Sequence, residues 1–120
     1  MVSRGEIIEE DKQFSAFHVE TENAVLILLS EGEDRLGTLA ASVPSTIEIG
    51  SQPAFSSVLL GDRNVTTARM LAERYASKTH KITLVSVFLK TVKETEAAPI
   101  LIQLMKKINA NSHRKDSKEE

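Results

Sequence analysis

Ser57-Val58-Leu59-Leu60-Gly61-Asp62-Arg63-Asn64-Val65-Thr66-Thr67 holds the end of a strand, a turn and the start of a helix in eleven residues. The apolar run stops at Leu60. Gly61 allows the bend, because it lacks the Cβ that restricts other residues. Asp62 or Asn64 then stands where a helix N-cap is expected, with Thr66 and Thr67 in the first turn. Beyond them Val65, Ala68, Leu71, Ala72, Tyr75 and Ala76 recur at the i, i+3, i+4 spacing of one helical face. The helix closes near Lys78, where Lys78, His80 and Lys81 suit the negative end of the helix dipole.

Working outward, Ala54–Leu60 is the strand that feeds this helix, and Ile82–Leu89, rich in β-branched residues, is the strand that follows it. Upstream, Gln13–Glu20 alternates as a half-buried strand does, Ala24–Leu29 is apolar throughout, and Leu36–Val43 ends at Pro44. Glu31-Gly32-Glu33-Asp34 reads as a hairpin turn between apolar runs, and Ser45–Pro53 as a loop. A second helix is expected from about Glu96 to Ile108, with Pro99 in its first turn and Ile100, Leu101, Leu104, Met105 and Ile108 as its apolar stripe. Residues 1–12 are expected to be a flexible N-terminus with at most a short strand at Ile7-Ile8. Residues 13–109 form a single α+β domain, and 110–120 a disordered polar tail. The order is β-β-β-β-α-β-α: an antiparallel sheet of about five to six strands with two helices.

Two helices cover about one face of such a sheet. Yet Val25–Leu29 and Ile82–Phe88 are apolar on both faces, a pattern that belongs to strands covered on both sides. A partner chain is the simple lid, since an open apolar face is otherwise a binding surface or an aggregation hazard. Val25, Ile27, Leu29, Ile82, Leu84 and Val87 are the residues expected at that dimer interface, which should bury roughly 1,200 Å² or more in total.

Composition narrows the chemistry. The 120 residues carry a formal charge of −2, with 41% hydrophobic, 27% charged and 4% aromatic residues. Neither basic excess nor aromatic platforms for stacking bases are present, so a nucleic-acid partner is not expected. The absence of cysteine removes disulfides, thiolate zinc sites and cysteine nucleophiles, and fits a reducing compartment. Met1–Glu10 lacks the pattern of a signal peptide, and no apolar run is long enough to span a bilayer. The junction itself has one glycine and no lysine, unlike a phosphate loop, although bare helix-start amides can still hold an anion. His18, His80 and His113 are too scattered to suggest a metal site; His18 reads as a strand residue with a local hydrogen bond. No nucleophile-elbow pattern occurs. The acidic groups at Glu6–Asp11 and Glu31–Asp34 read as solvated surface. No catalytic residues, cofactor or metal are expected. A binding protein is the leading reading; a small anion- or nucleotide-binding protein, or an adaptor of another complex, is the alternative.

The junction and its surroundings resemble the family of proteasome assembly chaperone four, paired in nature with chaperone three. The residues that carry the resemblance are Leu59-Leu60-Gly61-Asp62, Thr66-Thr67, Leu71-Ala72-Glu73-Arg74, Ala76 through Lys78-Thr79-His80-Lys81, and the strand Val85–Leu89. Phe17-His18-Val19 followed by Val25–Leu29 is similar to the family's opening hairpin, while Leu36-Gly37-Thr38-Leu39 also looks like chaperone three. The resemblance implies a non-enzymatic α+β protein of the cytoplasm, extending to the nucleus. It implies a dimer with itself or with a chaperone-three-like paralogue. It further implies binding to proteasome α-subunits, to guide assembly of the α-ring of the 20S core particle. Under it, Leu60, Gly61, Asp62, Thr66, Thr67, Lys78 and Thr79 are structural motif residues. Glu31–Arg35 and Ser45–Pro53 are candidate loops for α-subunit contact.

Overall fold

A computed structural model describes the backbone of residues 1–44 and 55–119 and the side chains of 1–44 and 55–108. In chain order the elements are β1 (Val2–Glu9), β2 (Lys12–Glu20), β3 (Ala24–Glu31), β4 (Thr38–Val43), β5 (Phe55–Leu60), α1 (Val65–Thr79), β6 (Ile82–Phe88) and α2 (Glu94–Glu119). The strands make one six-stranded sheet in the order β1-β2-β3-β6-β4-β5. The loop expected at Ser45–Pro53 lies outside the described residues.

The α+β class and the element order follow the sequence, but the sheet is mixed rather than antiparallel. β3 and β6 pair in parallel, from Ala24 opposite Ile82 to Ser30 opposite Phe88. The cause is the crossover through α1. It returns β6 past β4, to which it pairs antiparallel, and docks it beside β3. The segment Glu31–Asp34 therefore does not close a hairpin, because β6 lies between β3 and β4.

Both chain ends differ from expectation. The segment thought flexible, residues 1–12, forms β1 as an edge strand in full register with β2, from Val2 opposite Val19 to Glu9 opposite Lys12. Its two-residue turn, Glu10-Asp11, has φ of 50° and 65°, the positive values of a twist-matched hairpin turn that normally selects Asn-Gly. At the other end, α2 begins at Glu94 and continues to Glu119, through the stretch expected to be a disordered tail. Extending a formed helix needs one further hydrogen bond per residue and no new nucleus. Pro99 is then the sixth residue of α2 and lies past the first turn.

One hydrophobic core joins Val25, Ile27 and Leu29 of β3 and Val85 and Val87 of β6 to Leu71, Ala72 and Tyr75 of α1 and Leu101, Leu104 and Ile108 of α2. Because side chains alternate along a strand, these residues define one face of the sheet, and both helices lie on it.

Candidate functional site

Alternation puts the other half of each strand on the opposite face, where no described helix or strand packs; the 32–37 loop covers only one end, over Ser15, Ser30 and Ser86. Phe17 and Val19 of β2 sit beside Leu28 and Leu26 of β3. Leu26 is paired with Leu84 of β6, and Leu84 with Ala41 of β4. Leu39, Val43 and Phe55 continue the surface toward the β5 edge, with Val43 opposite Phe55. Phe55 is 78% exposed, Val43 55% and Leu60 47%. Three of the chain's four phenylalanines, Phe17, Phe55 and Phe88, belong to this face; Phe14 alone is in the core. One end of the face is polar. There Arg4 pairs with Asp34 at 2.7 Å, Ser15 Oγ donates to Asp34 at 3.0 Å, and the Arg35 guanidinium lies 5.6 Å from the Phe88 ring centre. An apolar centre with aromatic anchors and a charged rim is the anatomy of a protein interface.

The residues expected at the dimer interface divide by parity. Val25, Ile27, Leu29 and Val87 are at most 1% exposed under α1 and α2. They cannot reach a partner, so the expectation is corrected for these four. Leu84 and Ile82 lie on the open face. A two-sided apolar strand in the sequence does not say which alternate set the helices take.

The junction is built differently from its sequence reading. Gly61 has φ of 89°, and a Cβ there would meet Thr38 Oγ1 at 2.5 Å and Thr38 Cα at 2.8 Å. Asn64 holds the N-cap position in left-handed conformation, with no capping hydrogen bond from its side chain. Asp62 is exposed. The cap comes instead from Glu94, at the start of α2. Its Oε1 accepts from the Thr67 backbone N–H at 2.9 Å and from Thr67 Oγ1 at 2.8 Å. The anion that the α1 amides would attract is thus a carboxylate of the chain itself. Of the remaining motif residues, Leu60, Thr66 and Lys78 are exposed, and Thr79 Oγ1 donates to the Tyr75 carbonyl at 2.8 Å.

Glu31 is the other carboxylate whose role the sequence hid. Expected on the solvated surface, it is 6% exposed. Being on the same alternate set as Val25, Ile27 and Leu29, it faces the loop between β6 and α2. Its Oε1 accepts from the backbone N–H groups of Lys90, Thr91 and Val92 at 2.9, 2.9 and 3.0 Å, and its Oε2 from Thr91 Oγ1 at 2.7 Å. Burial opposes its ionisation, but the four hydrogen bonds outweigh that and hold the carboxyl down at about 2. His18 is buried, shares a 3.1 Å hydrogen bond with Ser3 Oγ through Nδ1 and stands edge-on to Tyr75. Burial lowers its pKa, against the pull of Glu20, so it is a neutral core histidine. Among the described residues no cluster of His, Asp or Glu is placed to hold a metal ion, and no helix is long and apolar enough to cross a membrane.

Among the described residues, the fold is that of a small α+β protein whose helices close one sheet face, while the aromatic and apolar part of the other carries no packed helix or strand. This chain is similar in fold to a chain in the crystal structure of a novel chaperone complex for yeast 20S proteasome assembly. The TM-score is 0.61 at 13% sequence identity, over 93% of this chain and 96% of that one. No protein-family model and no curated protein matches the chain in sequence.

Proposed function

We propose that this protein is a proteasome assembly chaperone subunit, non-enzymatic and active as a dimer in the cytoplasm and nucleus. The observation that carries the reading is the uncovered sheet face of Phe17, Leu26, Leu28, Leu84 and Phe55. A contiguous apolar surface of this kind marks an interaction site, and it occurs on a fold like that of a chain from a proteasome assembly chaperone complex. A copy of the chain or a paralogue of chaperone-three type covers that face. The pair binds proteasome α-subunits by surface complementarity, helps order them into the α-ring, and departs as the core particle closes. Phosphate or nucleotide chemistry at the α1 start is the weaker reading, because Glu94 already satisfies the Thr67 amide.

Sedimentation of the purified protein and of Phe55→Asp tests the dimer. Residue 55 is mostly exposed, so the substitution leaves the core alone. A wild-type dimer that becomes a folded monomer supports the reading, whereas a stable wild-type monomer at micromolar concentration overturns it. Affinity purification of the tagged chain from its native host then tests the client: recovery of proteasome α-subunits together with a small paralogue is expected, and recovery of neither refutes the assignment.

A further inference from the structure

On the helix side, away from the open sheet face, α1 and α2 leave a groove of about 150 Å³ between them. Its floor is apolar: Leu71 and Tyr75 from α1, Met105 from α2. Its rim carries Arg74 and Lys78, one turn apart on α1, and Lys106 across the gap on α2. All three are exposed, and no carboxylate lines the groove among the described residues. The nearby charges are committed elsewhere. Glu73 accepts from Ser56, Glu20 pairs with Lys81 at 2.6 Å, and Lys107 donates to the Glu6 carbonyl. In a chain with a net charge of −2, three cations gathered over an apolar cleft reverse the local sign.

From this geometry we infer that the α1–α2 groove is a docking site for an acidic amphipathic peptide segment of a partner protein. The volume is well below the roughly 300–1,000 Å³ of small-molecule sites. It holds one or two apolar side chains, with Met105 adapting to their shape. Carboxylates flanking those anchors meet Arg74, Lys78 and Lys106, the mode in which an amphipathic helix lies in a groove. A dimer formed through the sheet leaves this groove free, so one chain holds a partner on one side and an acidic segment on the other.

The test is fluorescence anisotropy with a labelled helical peptide of about 14 residues. Leu occupies one face at the i, i+3, i+4, i+7 spacing and Glu the other; a second peptide has every Glu replaced by Lys. The Glu peptide is expected to bind, several-fold more weakly at about 300 mM than at about 50 mM salt, and the Lys peptide not to bind. Arg74→Glu with Lys106→Glu should weaken the Glu peptide by at least about tenfold. Arg74→Gln with Lys106→Gln, which introduces no new charge, should weaken it by a smaller factor. Equal binding of both peptides overturns the assignment, as does indifference to both double substitutions. So does binding to phosphatidylserine vesicles without binding to the peptide, or loss of peptide binding in Phe55→Asp, which would place it on the sheet. Sedimentation of the double variants should keep the wild-type association state, so failure here is separable from failure of the dimer.

Discussion

Replacing Glu31 by Gln removes the charge from a carboxylate that four donors surround, three of them consecutive backbone amides. Holding this carboxyl at about 2 instead of its ordinary 4.5 corresponds to about 3 kcal/mol of stability near neutral pH, at about 1.36 kcal/mol per pH unit. The folded carboxyl is the more acidic one. Its contribution is therefore full above the unfolded value and is lost as the pH falls through 4.5 toward 2. By pH 3 roughly half of it remains. Urea unfolding of wild type and Glu31→Gln should differ by about 2–3 kcal/mol at pH 7, since the Gln oxygen keeps part of the amide network. The difference should shrink by about half at pH 3. Glu33→Gln, exposed just past the end of β3, should stay within about 0.5 kcal/mol throughout. A gap that is the same at both pH values, or under about 0.5 kcal/mol at pH 7, would refute the assignment of a stabilising buried carboxylate.

Gly61→Ala should cost about 3 kcal/mol, from the left-handed φ together with the approach to the Thr38 backbone; a thermal melt within a degree of wild type would contradict it. Glu94→Ala should cost about 1–2 kcal/mol and speed hydrogen exchange of the Thr67 amide more than that of the α1 centre, because it strips the cap that Asn64 does not provide. Asp11→Gly should stabilise the protein by about 1 kcal/mol in urea titrations, by relieving a positive φ in the β1–β2 turn.

What could be read from the sequence follows the strength of its periodic signals. The helical spacing from Val65 to Ala76 and the β-branched run from Ile82 gave α1 and β6 nearly to the residue. β1 was missed because its strand is mostly charged or small and its turn lacks the Asn-Gly that marks such hairpins. Parity was not readable either. Val25 and Leu26 are equally apolar, and only the placement of the helices decides which one is core. Glu94 and Glu31 escaped because their partners, Thr67 and the Lys90–Val92 amides, lie 27 and about 60 residues away in the chain. A carboxylate destined for such a socket looks like any surface acid until the fold brings the amides to it.

The central position of β6 sets the order in which this chain becomes a protein. Of the six strands it is the last made, yet it joins β3 to β4. Until the ribosome has released residues 82–88, the pairing available to the sheet is limited to two halves: β1 to β3, and β4 with β5. Each half has a bare edge where β6 will bind. Closing the gap brings together segments nearly sixty residues apart, a slow step for sheets of this kind. A nascent chain stalled before Ile82 is therefore the species most prone to stick to its neighbours.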